Sequence, residues 1–539
     1  MLGRSRDSIG PHDRFLAIGG SSLKAMEVLA ALEDTFGVTV PPAAMRDHDT
    51  VAALTEHVLA SRRGGPPEPA ARSVTPGGDG DPAPLAVVSM ACRFPGADSP
   101  EAFWDLLAAG HDVVGTVPAS RWSTPPEAAA RWGAFLDDPA GFDAAYFGID
   151  EQEATATDPQ ARIFLELAHE ALERAGYAGV RRSGRRIGVF AATGESGYRE
   201  LLAQAHGPGC ELPPGALVGN LPNLVAARVA QSLDLTGPAL AVDTACSSAL
   251  VALHLARRSL QSGECDVAVV GGVNLTLAPT GHRLLEAAGA LSPTGRCRPF
   301  SAAADGFVPG EGGAAIVLAR LEDAHRADDP VLALLRGTAV NNDGRSLSLM
   351  APNALTQREI IVQAYRDAGV DPGTVSYIEA HGTGTALGDP VELRSLAHAF
   401  APRSDGQPRL LGSVKSNLGH LLNAAAMPGL VKVVLALGHR QLPASLHHEP
   451  LASLPDGAAG AFEVVTEHRE WTASGPLAAG INAFGFGGTN AHAVLEQAPA
   501  RPASGSRGRK EAQAGAGSRD EDGPYLLALS ARSAAALGA

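Results

Sequence analysis

Short apolar runs alternate with helical segments through most of this chain, and that alternation limits the folds open to it. The runs lie at residues 85–89, 187–190, 240–243, 267–270 and 315–318. Because these runs are continuously apolar, each is predicted to be a strand covered on both faces. Helical periodicity is present at residues 163–172 and 250–260. The pattern predicts an α/β fold with a layered sheet.

Composition divides the 539 residues into four parts. Residues 1–60 read as a small helical unit, 61–83 as a linker rich in proline, glycine and charge, 84–497 as the large α/β unit, and 498–539 as a second linker with the start of a following segment. Linkers of this composition separate folded units. Because a strand-like run begins at residue 525, we expect the sequence to be a piece of something longer.

Charge and hydropathy exclude several classes of protein. The net charge of −15 argues against binding to nucleic acid or to an anionic membrane surface. No membrane span and no N-terminal leader are expected, so the expected compartment is the cytoplasm.

Cysteine and histidine spacing gives no sign of a metal site. The five cysteines form no CxxC pair and are expected to be thiols; they are Cys92, Cys210, Cys246, Cys265 and Cys297. His447 and His448 are adjacent, a spacing that favours a solvated loop over a pair of metal ligands.

Cys246 differs from the other four cysteines in its context. An apolar strand-like run ends at residue 243 or 244, and a helix of Ala, Leu and Val follows Cys246 directly. The helix N-terminus favours the thiolate and can lower the pKa of such a thiol by about one unit or more from ~8.5, and the free amides there can hold an oxyanion. The alternative is a small buried cysteine that packs a strand–helix junction, and this segment alone leaves both open.

Two histidines lie in glycine-flanked segments that follow strand-like runs. They are His381 and His420, and one of only four lysines, Lys415, precedes the second of them. A single histidine is more often a core residue than a catalyst, but two in matching contexts favour a site. The glycine-rich turn at 482–492 predicts either a backbone donor with a Phe gate or a tight hairpin, and His492 is expected to hydrogen-bond locally.

Together these segments resemble the ketosynthase domains of modular type I polyketide synthases, within the β-ketoacyl synthase family. The motifs that carry the resemblance are DTACSS at 243–248, EAHGTGT at 379–385, SVKSNLGH at 413–420 and FGFGGTNAH at 484–492. Residues 87–96, 161–173 and 304–312 also resemble this family. The resemblance covers about 84–497. It implies a thiolase-like fold of two similar α/β halves, layered α-β-α-β-α, and a homodimer.

The resemblance also implies a role for each site residue. Cys246 would accept the acyl group, while His381 and His420 would donate to the malonyl thioester carbonyl during loss of CO₂. Lys415 would orient the histidine region electrostatically. The amides of Cys246 and Phe486 would form the oxyanion hole, and Phe486 would be a gate. The ketosynthase itself would need no cofactor and no metal.

Residues 1–60 resemble the second half of an acyl-carrier domain, a small all-α unit. Ser22, in the segment IGGSSL at 18–23, stands where the carrier serine bears phosphopantetheine. Leu23, Met26, Leu29, Leu32 and Phe36 predict an amphipathic helix ended by Gly37, and residues 51–58 predict a last helix. The first carrier helix is largely missing, so inefficient modification is expected; the alternative for Ser22 is a plain helix N-cap.

The leading interpretation is decarboxylative Claisen condensation of an acyl chain on Cys246 with a malonyl-type extender on an acyl carrier protein. The alternatives are a non-elongating ketosynthase that only passes acyl chains between modules, and a docking or scaffold segment. Expected partners are upstream and downstream carrier domains and an acyltransferase outside this chain. Two departures follow His420, at Leu422 and Ala426; we expect them to alter helix packing without touching the catalytic set.

Overall fold

The computed structural model describes residues 9–64, except 16, 17, 19–21, 39 and 41–43, and residues 83–499, except 126, 208–210, 214, 404, 452–457, 459 and 474. Cys210 and the predicted strand at 525–530 therefore lie outside the described residues. The helices are α1 (Ser22–Phe36), α2 (Ala44–Asp47), α3 (Val51–Gly64), α4 (Pro100–Ala108), α5 (Glu151–Ala156), α6 (Pro159–Arg174), α7 (Tyr198–His206), α8 (Ala216–Asn220), α9 (Leu224–Leu233), α10 (Ser248–Ser262), α11 (Thr280–Ala287), α12 (Leu321–Ala327), α13 (Ala354–Ala368), α14 (Gly388–Ala399), α15 (Lys415–Leu418) and α16 (Ala426–His439).

The strands are β1 (Leu85–Arg93), β2 (Gly115–Thr116), β3 (Trp132–Gly133), β4 (Ile187–Ala192), β5 (Ala239–Val242), β6 (Val267–Asn274), β7 (Gly312–Arg320), β8 (Ala333–Asn342), β9 (Tyr377–Glu379), β10 (Arg409–Gly412), β11 (Gln441–Leu442), β12 (Phe462–Val464), β13 (Arg469–Glu470), β14 (Ala478–Phe484) and β15 (Thr489–Gln497). Eleven of them form one mixed sheet in the order β12-β10-β9-β14-β15-β8-β1-β7-β6-β4-β5. The other four form two small ribbons, β2-β3 and β11-β13.

The large sheet consists of two halves with the same topology. In the first half, β1-β7-β6-β4-β5, the first two pairings are antiparallel and the last two are parallel. The second half, β8-β15-β14-β9-β10, repeats that order of pairings, and the chain visits the five positions in the same sequence. The halves join where β1 pairs with β8. The prediction of two similar α/β halves is therefore confirmed.

Two helices lie between the halves. α10 follows β5 and α16 comes after β10, the equivalent strand; both contact strands of both halves and each other. On the outside, α6 packs on β1, β6 and β7, and α13 packs on β8 and β15. This produces the α-β-α-β-α layering, and it places the segments after β5 and β10 face to face.

One predicted strand is less covered than expected. β5 was expected to be buried on both faces, but Leu240 is 44% exposed, because β5 is the last strand at its end of the sheet. Its equivalent in the second half, β10, is covered by β12.

The expectation that no segment is apolar enough to span a membrane needs one qualification. Residues Leu422–His439 reach a mean hydropathy of 1.3 over 18 residues, but 78% of that segment is buried in the protein. The segment is apolar because α16 lies in the central helical layer and contacts strands of both halves of the sheet.

The N-terminal unit contains the helices expected for it. α1 ends before Gly37, whose φ is +63°, and α3 runs to Gly64, four residues into the predicted linker. Ser22 is the first residue of α1; its side chain, like those of Leu23 and Met26, lies outside the described set. An apolar cavity of about 330 Å³ opens beside Leu32 and Leu54, which agrees with a hydrophobic face that is only half covered.

Candidate active site

Cys246 lies on the tight turn between β5 and α10, as predicted. Ala245 has a φ of +55°, in the left-handed region, and this turns the chain so that Cys246 stands just before the helix. Side chains close the turn: Ser248 Oγ accepts the N–H of Thr244 at 2.8 Å. The thiol is 4% exposed, so the turn presents it inward to a pocket.

The sequence suggested a lowered pKa for the Cys246 thiol, and the structure contradicts this. Burial raises the pKa of Cys246, because the thiolate would lose its hydration. Hydrogen bonds from the amides of Phe486 and of Cys246 itself, and the positive charge of Lys415, oppose that rise without cancelling it. Both predicted oxyanion-hole amides therefore lie at the sulfur.

The ring of His420 is held by the turn that follows it. Its Nδ1 accepts the backbone N–H of Leu422 at 2.9 Å, and Leu422 has a φ of +42° to make this contact. Because Nδ1 is an acceptor, a neutral ring carries its proton on Nε2. Burial and the charge of Lys415 lower the pKa of His420 well below its usual value, so the ring is neutral.

His381 follows β9 and is anchored through its backbone. The Glu392 carboxylate on α14 accepts the backbone N–H of His381 at 2.7 Å and the backbone N–H of Gly382 at 2.8 Å. It also accepts a hydrogen bond from the Asn482 side-chain amide, Nδ2, at 2.8 Å. Burial, Lys415 and His420 lower the pKa of His381 well below its usual value. The two rings meet edge to face, with centroids 5.6 Å apart.

Three of the four predicted catalytic side chains converge. The Cys246 sulfur, one ring nitrogen of His381 and one ring nitrogen of His420 all lie within 4.8 Å of one another. A thiol and two imidazoles at such distances would also suit a divalent metal, but the buried Lys415 ammonium raises the cost of a second cation there. The arrangement fits a nucleophile flanked by two neutral N–H donors.

A pocket of about 270 Å³ leads to this centre. Its lining is largely apolar and includes Ala290, Phe307, Met350, Leu387 and Phe484. Phe486 also lines the pocket and is 42% exposed, at the tip of the β14–β15 hairpin. The glycine-rich turn is a hairpin, and the Phe486 amide at its tip bonds the Cys246 sulfur; the gate role of Phe486 stays a prediction. A Cβ at Gly485 would lie 2.8 Å from Ser247 Oγ, so the close approach needs glycine.

Among the described residues, Cys92, Cys265, Cys297, His447 and His492 do not belong to this group of three side chains. Cys92, Cys265 and Cys297 are buried thiols, and burial raises the pKa of Cys297 to about 12. His492 Nδ1 lies 2.6 Å from Asn482 Oδ1, the local contact expected for it. His447 pairs with Asp112 at 2.8 Å.

Two residues of the site were missed in the sequence. Glu392 was not singled out, although an acidic residue on the helix after the EAHGTGT segment was a usable signal. Asn423, three residues after His420, donates to Asp243 Oδ1 at 2.7 Å and to Ser248 Oγ at 3.2 Å. Asn423 therefore connects the segment after His420 to the turn that carries Cys246.

The N-terminal unit packs beside the mouth of this pocket. Val391 of α14 belongs to the same buried cluster as Ala25, Leu29 and Met45, and Leu387 packs against that cluster while also lining the pocket. Arg345 and Asp47 form a 3.6 Å ion pair across the contact.

Comparison with family models identifies the same regions. Residues 83–324 match "Beta-ketoacyl synthase, N-terminal domain" and 332–449 match "Beta-ketoacyl synthase, C-terminal domain". Residues 1–58 match "Phosphopantetheine attachment site", and 450–539 match "Ketoacyl-synthetase C-terminal extension". The boundaries at 60, 83 and 497 remain predictions.

Curated relatives include polyketide synthase proteins. A phenolphthiocerol/phthiocerol polyketide synthase subunit of Mycobacterium tuberculosis is 44% identical over 528 residues, which cover 94% of this chain and 27% of the relative. The spectinabilin polyketide synthase system protein NorC of Streptomyces orinoci is 43% identical, covering 91% and 22%. The chain thus spans about a quarter of the length of these relatives.

Solved structures share the fold. The ketosynthase from module 6 of the bacillaene synthase of Bacillus subtilis 168 aligns with a TM-score of 0.71 and 36% identity, covering 77% of this chain and 72% of that one. An oxazolomycin ketosynthase domain of Streptomyces albus JA3453 aligns with a TM-score of 0.72 and 39% identity, covering 78% and 76%. This chain belongs to the β-ketoacyl synthase family and has its thiolase-like fold. Within that family it is a ketosynthase of the polyketide synthase type, with a phosphopantetheine attachment domain at its N-terminus.

Proposed function

We propose that this chain is an acyltransferase of the 3-oxoacyl synthase type, which extends an acyl chain by decarboxylative condensation. The observation that carries the proposal is the convergence of Cys246, His381 and His420 within 4.8 Å at the end of an apolar pocket. The Cys246 thiolate attacks an acyl thioester and expels the carrier thiol. A malonyl-type thioester then loses CO₂, and its enolate carbon attacks the acyl carbonyl and displaces the Cys246 sulfur.

The neutral histidines fit the decarboxylation step. Loss of CO₂ puts negative charge on the extender's thioester oxygen, and two N–H donors aimed at that oxygen stabilise the enolate. His420 offers Nε2–H because Nδ1 is already an acceptor. Lys415, buried beside both rings, adds a positive charge that favours the anionic states without donating to them directly.

The carrier unit supplies the thioester chemistry. Phosphopantetheine would be attached at Ser22 and would present acyl groups as thioesters to the ketosynthase; the position of Ser22 at the start of α1 fits that role. A broad phosphopantetheinyl transferase with coenzyme A, followed by intact mass, tests it against Ser22→Ala. We expect little modification, because the hydrophobic face beside Leu32 is open.

Two further partners belong to the proposal. β5 has no strand on its outer side among the described residues, and Leu240 on it and Leu217 on α8 are exposed at 44% and 70%. An unpaired apolar edge of this kind favours pairing with a second copy, so we expect a homodimer that Leu240→Lys weakens in light scattering. The extender would be loaded by an acyltransferase outside this chain.

The deciding experiment incubates the wild type with an acyl thioester and malonyl-loaded carrier protein, and measures the products by mass spectrometry. An extended β-ketoacyl thioester supports condensation. Acylated Cys246 without that product would instead favour the non-elongating ketosynthase, and no acylation at all would favour a docking or scaffold role.

A further inference from the structure

A buried ion pair lies behind the Lys415 segment, and the proposed reaction does not use it. Lys432 Nζ on α16 is 2.8 Å from Glu379 Oε2 at the end of β9, and the two side chains are 0% and 3% exposed. The angle of this contact is not that of a hydrogen bond, so the fully buried ammonium is held by charge. Placing such a pair in a core is costly, and an apolar side chain would pack there at lower cost.

The Glu379 carboxylate connects this pair to both catalytic segments. Its Oε1 accepts the backbone N–H of Val414, the residue before Lys415, at 2.7 Å. Its Oε2 accepts the Tyr377 hydroxyl at 2.5 Å. His381 lies two residues after Glu379 in the chain. One carboxylate therefore fixes the end of β9 against the start of the Lys415 helix.

Two glycines provide the space for these charged groups. A Cβ at Gly412 would overlap the Tyr377 hydroxyl and lie 3.1 Å from Lys432 Nζ. A Cβ at Gly429 would lie 3.0 Å from Glu379 Cγ. The backbone on both sides is thus shaped around the pair rather than around a hydrophobic core.

Lys415 is the group on which Glu379 acts. The charged or titratable groups that face Lys415 are Glu379, Glu392, Cys246, Cys297, His381 and His420, and Asp243 also faces the Cys246 thiol. Burial lowers the pKa of Lys415, and the two glutamates oppose that change. In a site this poor in water, the full charge of Glu379 would offset the charge of Lys415 at the thiol.

We propose that Lys432 is a positioning residue of the catalytic centre: it neutralises Glu379, so that Glu379 fixes the Lys415 segment without cancelling the charge that Lys415 directs at Cys246. This deepens the proposed function and rests on it for the identity of the nucleophile. Lys432 itself touches neither Cys246 nor the histidines in the described contacts.

The pH dependence of Cys246 alkylation by iodoacetamide tests this, with peptide mass spectrometry to locate the label. The variants are Lys432→Met, Glu379→Gln and their combination, and Lys24→Met in the N-terminal unit is the matched lysine control. Lys432→Met should move the profile to higher pH by about 0.5 unit or more, and Glu379→Gln should move it to lower pH. The double variant should return to within about 0.2 unit of the wild type, since it is neutral again.

A folded Lys432→Met protein with a wild-type profile overturns the proposal, as does a shift that persists in the double variant. If Lys432→Met fails to fold, Glu379→Gln decides: a shift to lower pH supports the proposal and an unchanged profile overturns it. Alkylation needs no condensation, so a wild type that forms no β-ketoacyl product contradicts the proposed function separately.

Discussion

The Nδ1 atom of His420 accepts the backbone N–H of Leu422 at 2.9 Å, and this single hydrogen bond decides which ring nitrogen carries the donor N–H. With Nδ1 occupied as an acceptor, the neutral ring carries its proton on Nε2, which is then its N–H donor. The left-handed φ of Leu422, +42°, is the backbone cost of that arrangement.

Replacing either histidine should separate acylation from condensation. His381→Ala and His420→Ala each remove one donor aimed at the developing enolate, for which we expect a loss of condensation of ~10²–10³-fold. Transfer of the acyl group to Cys246 uses the amides of Cys246 and Phe486, so self-acylation should persist. The two rates are measured by product mass and by acyl mass on the protein.

His282→Gln is the matched control, because His282 is buried on α11 and its ring contacts Trp122 and Phe135 instead of the site. Equal loss of acylation and condensation in the His381 and His420 variants would contradict this division of roles.

Acylation should depend on one cysteine. A single acyl mass is expected on the wild type and none on Cys246→Ala. Cys297→Ala is the control, since this buried thiol accepts the Val308 N–H at 3.1 Å and burial raises its pKa to about 12. Stoichiometric acylation of Cys246→Ala would show that another residue is the acceptor.

Much of the site was predictable because its residues lie at equivalent points of a repeated topology. Cys246 follows β5, and Lys415 and His420 follow β10, the strand in the same position of the second half. Strand ends and glycine-flanked turns are visible in sequence as breaks in apolar periodicity. The family motifs then assign roles that spacing alone left open.

What the sequence did not predict depends on long-range contacts. Burial depth decides the direction of the Cys246 pKa, and the helix N-terminus alone suggested the opposite direction. The exposed β5 shows the same limit: an apolar run does not reveal whether a neighbouring strand exists. Asn423 reaches Asp243 across 180 positions of sequence, which no local pattern encodes.

Lys415→Met should raise the pKa of Cys246 further, because the thiolate loses the positive charge that partly offsets burial. Since the thiolate is the reacting form, self-acylation by a small thioester should rise with pH through the thiol pKa, and the variant's curve should lie at higher pH than that of the wild type. Rates from pH 6 to 10 measure this. Superimposable curves would show that the charge of Lys415 does not reach the sulfur.

His492 should make the fold sensitive to acid. Its ring is 1% exposed, and burial lowers its pKa to about 3, whereas an unfolded histidine titrates near 6.5. The folded state therefore stays neutral while the unfolded state gains a proton, so the stability tied to this residue is complete above pH 6.5 and is lost as pH falls toward 3. His492→Gln removes that proton uptake and should make the fall in unfolding free energy shallower by ~1.4 kcal/mol per pH unit in this window. Thermal unfolding at pH 7, 6 and 5 measures the slope, with His325→Gln on α12 as the exposed control. A slope as steep as that of the wild type would show that His492 takes up no proton on unfolding.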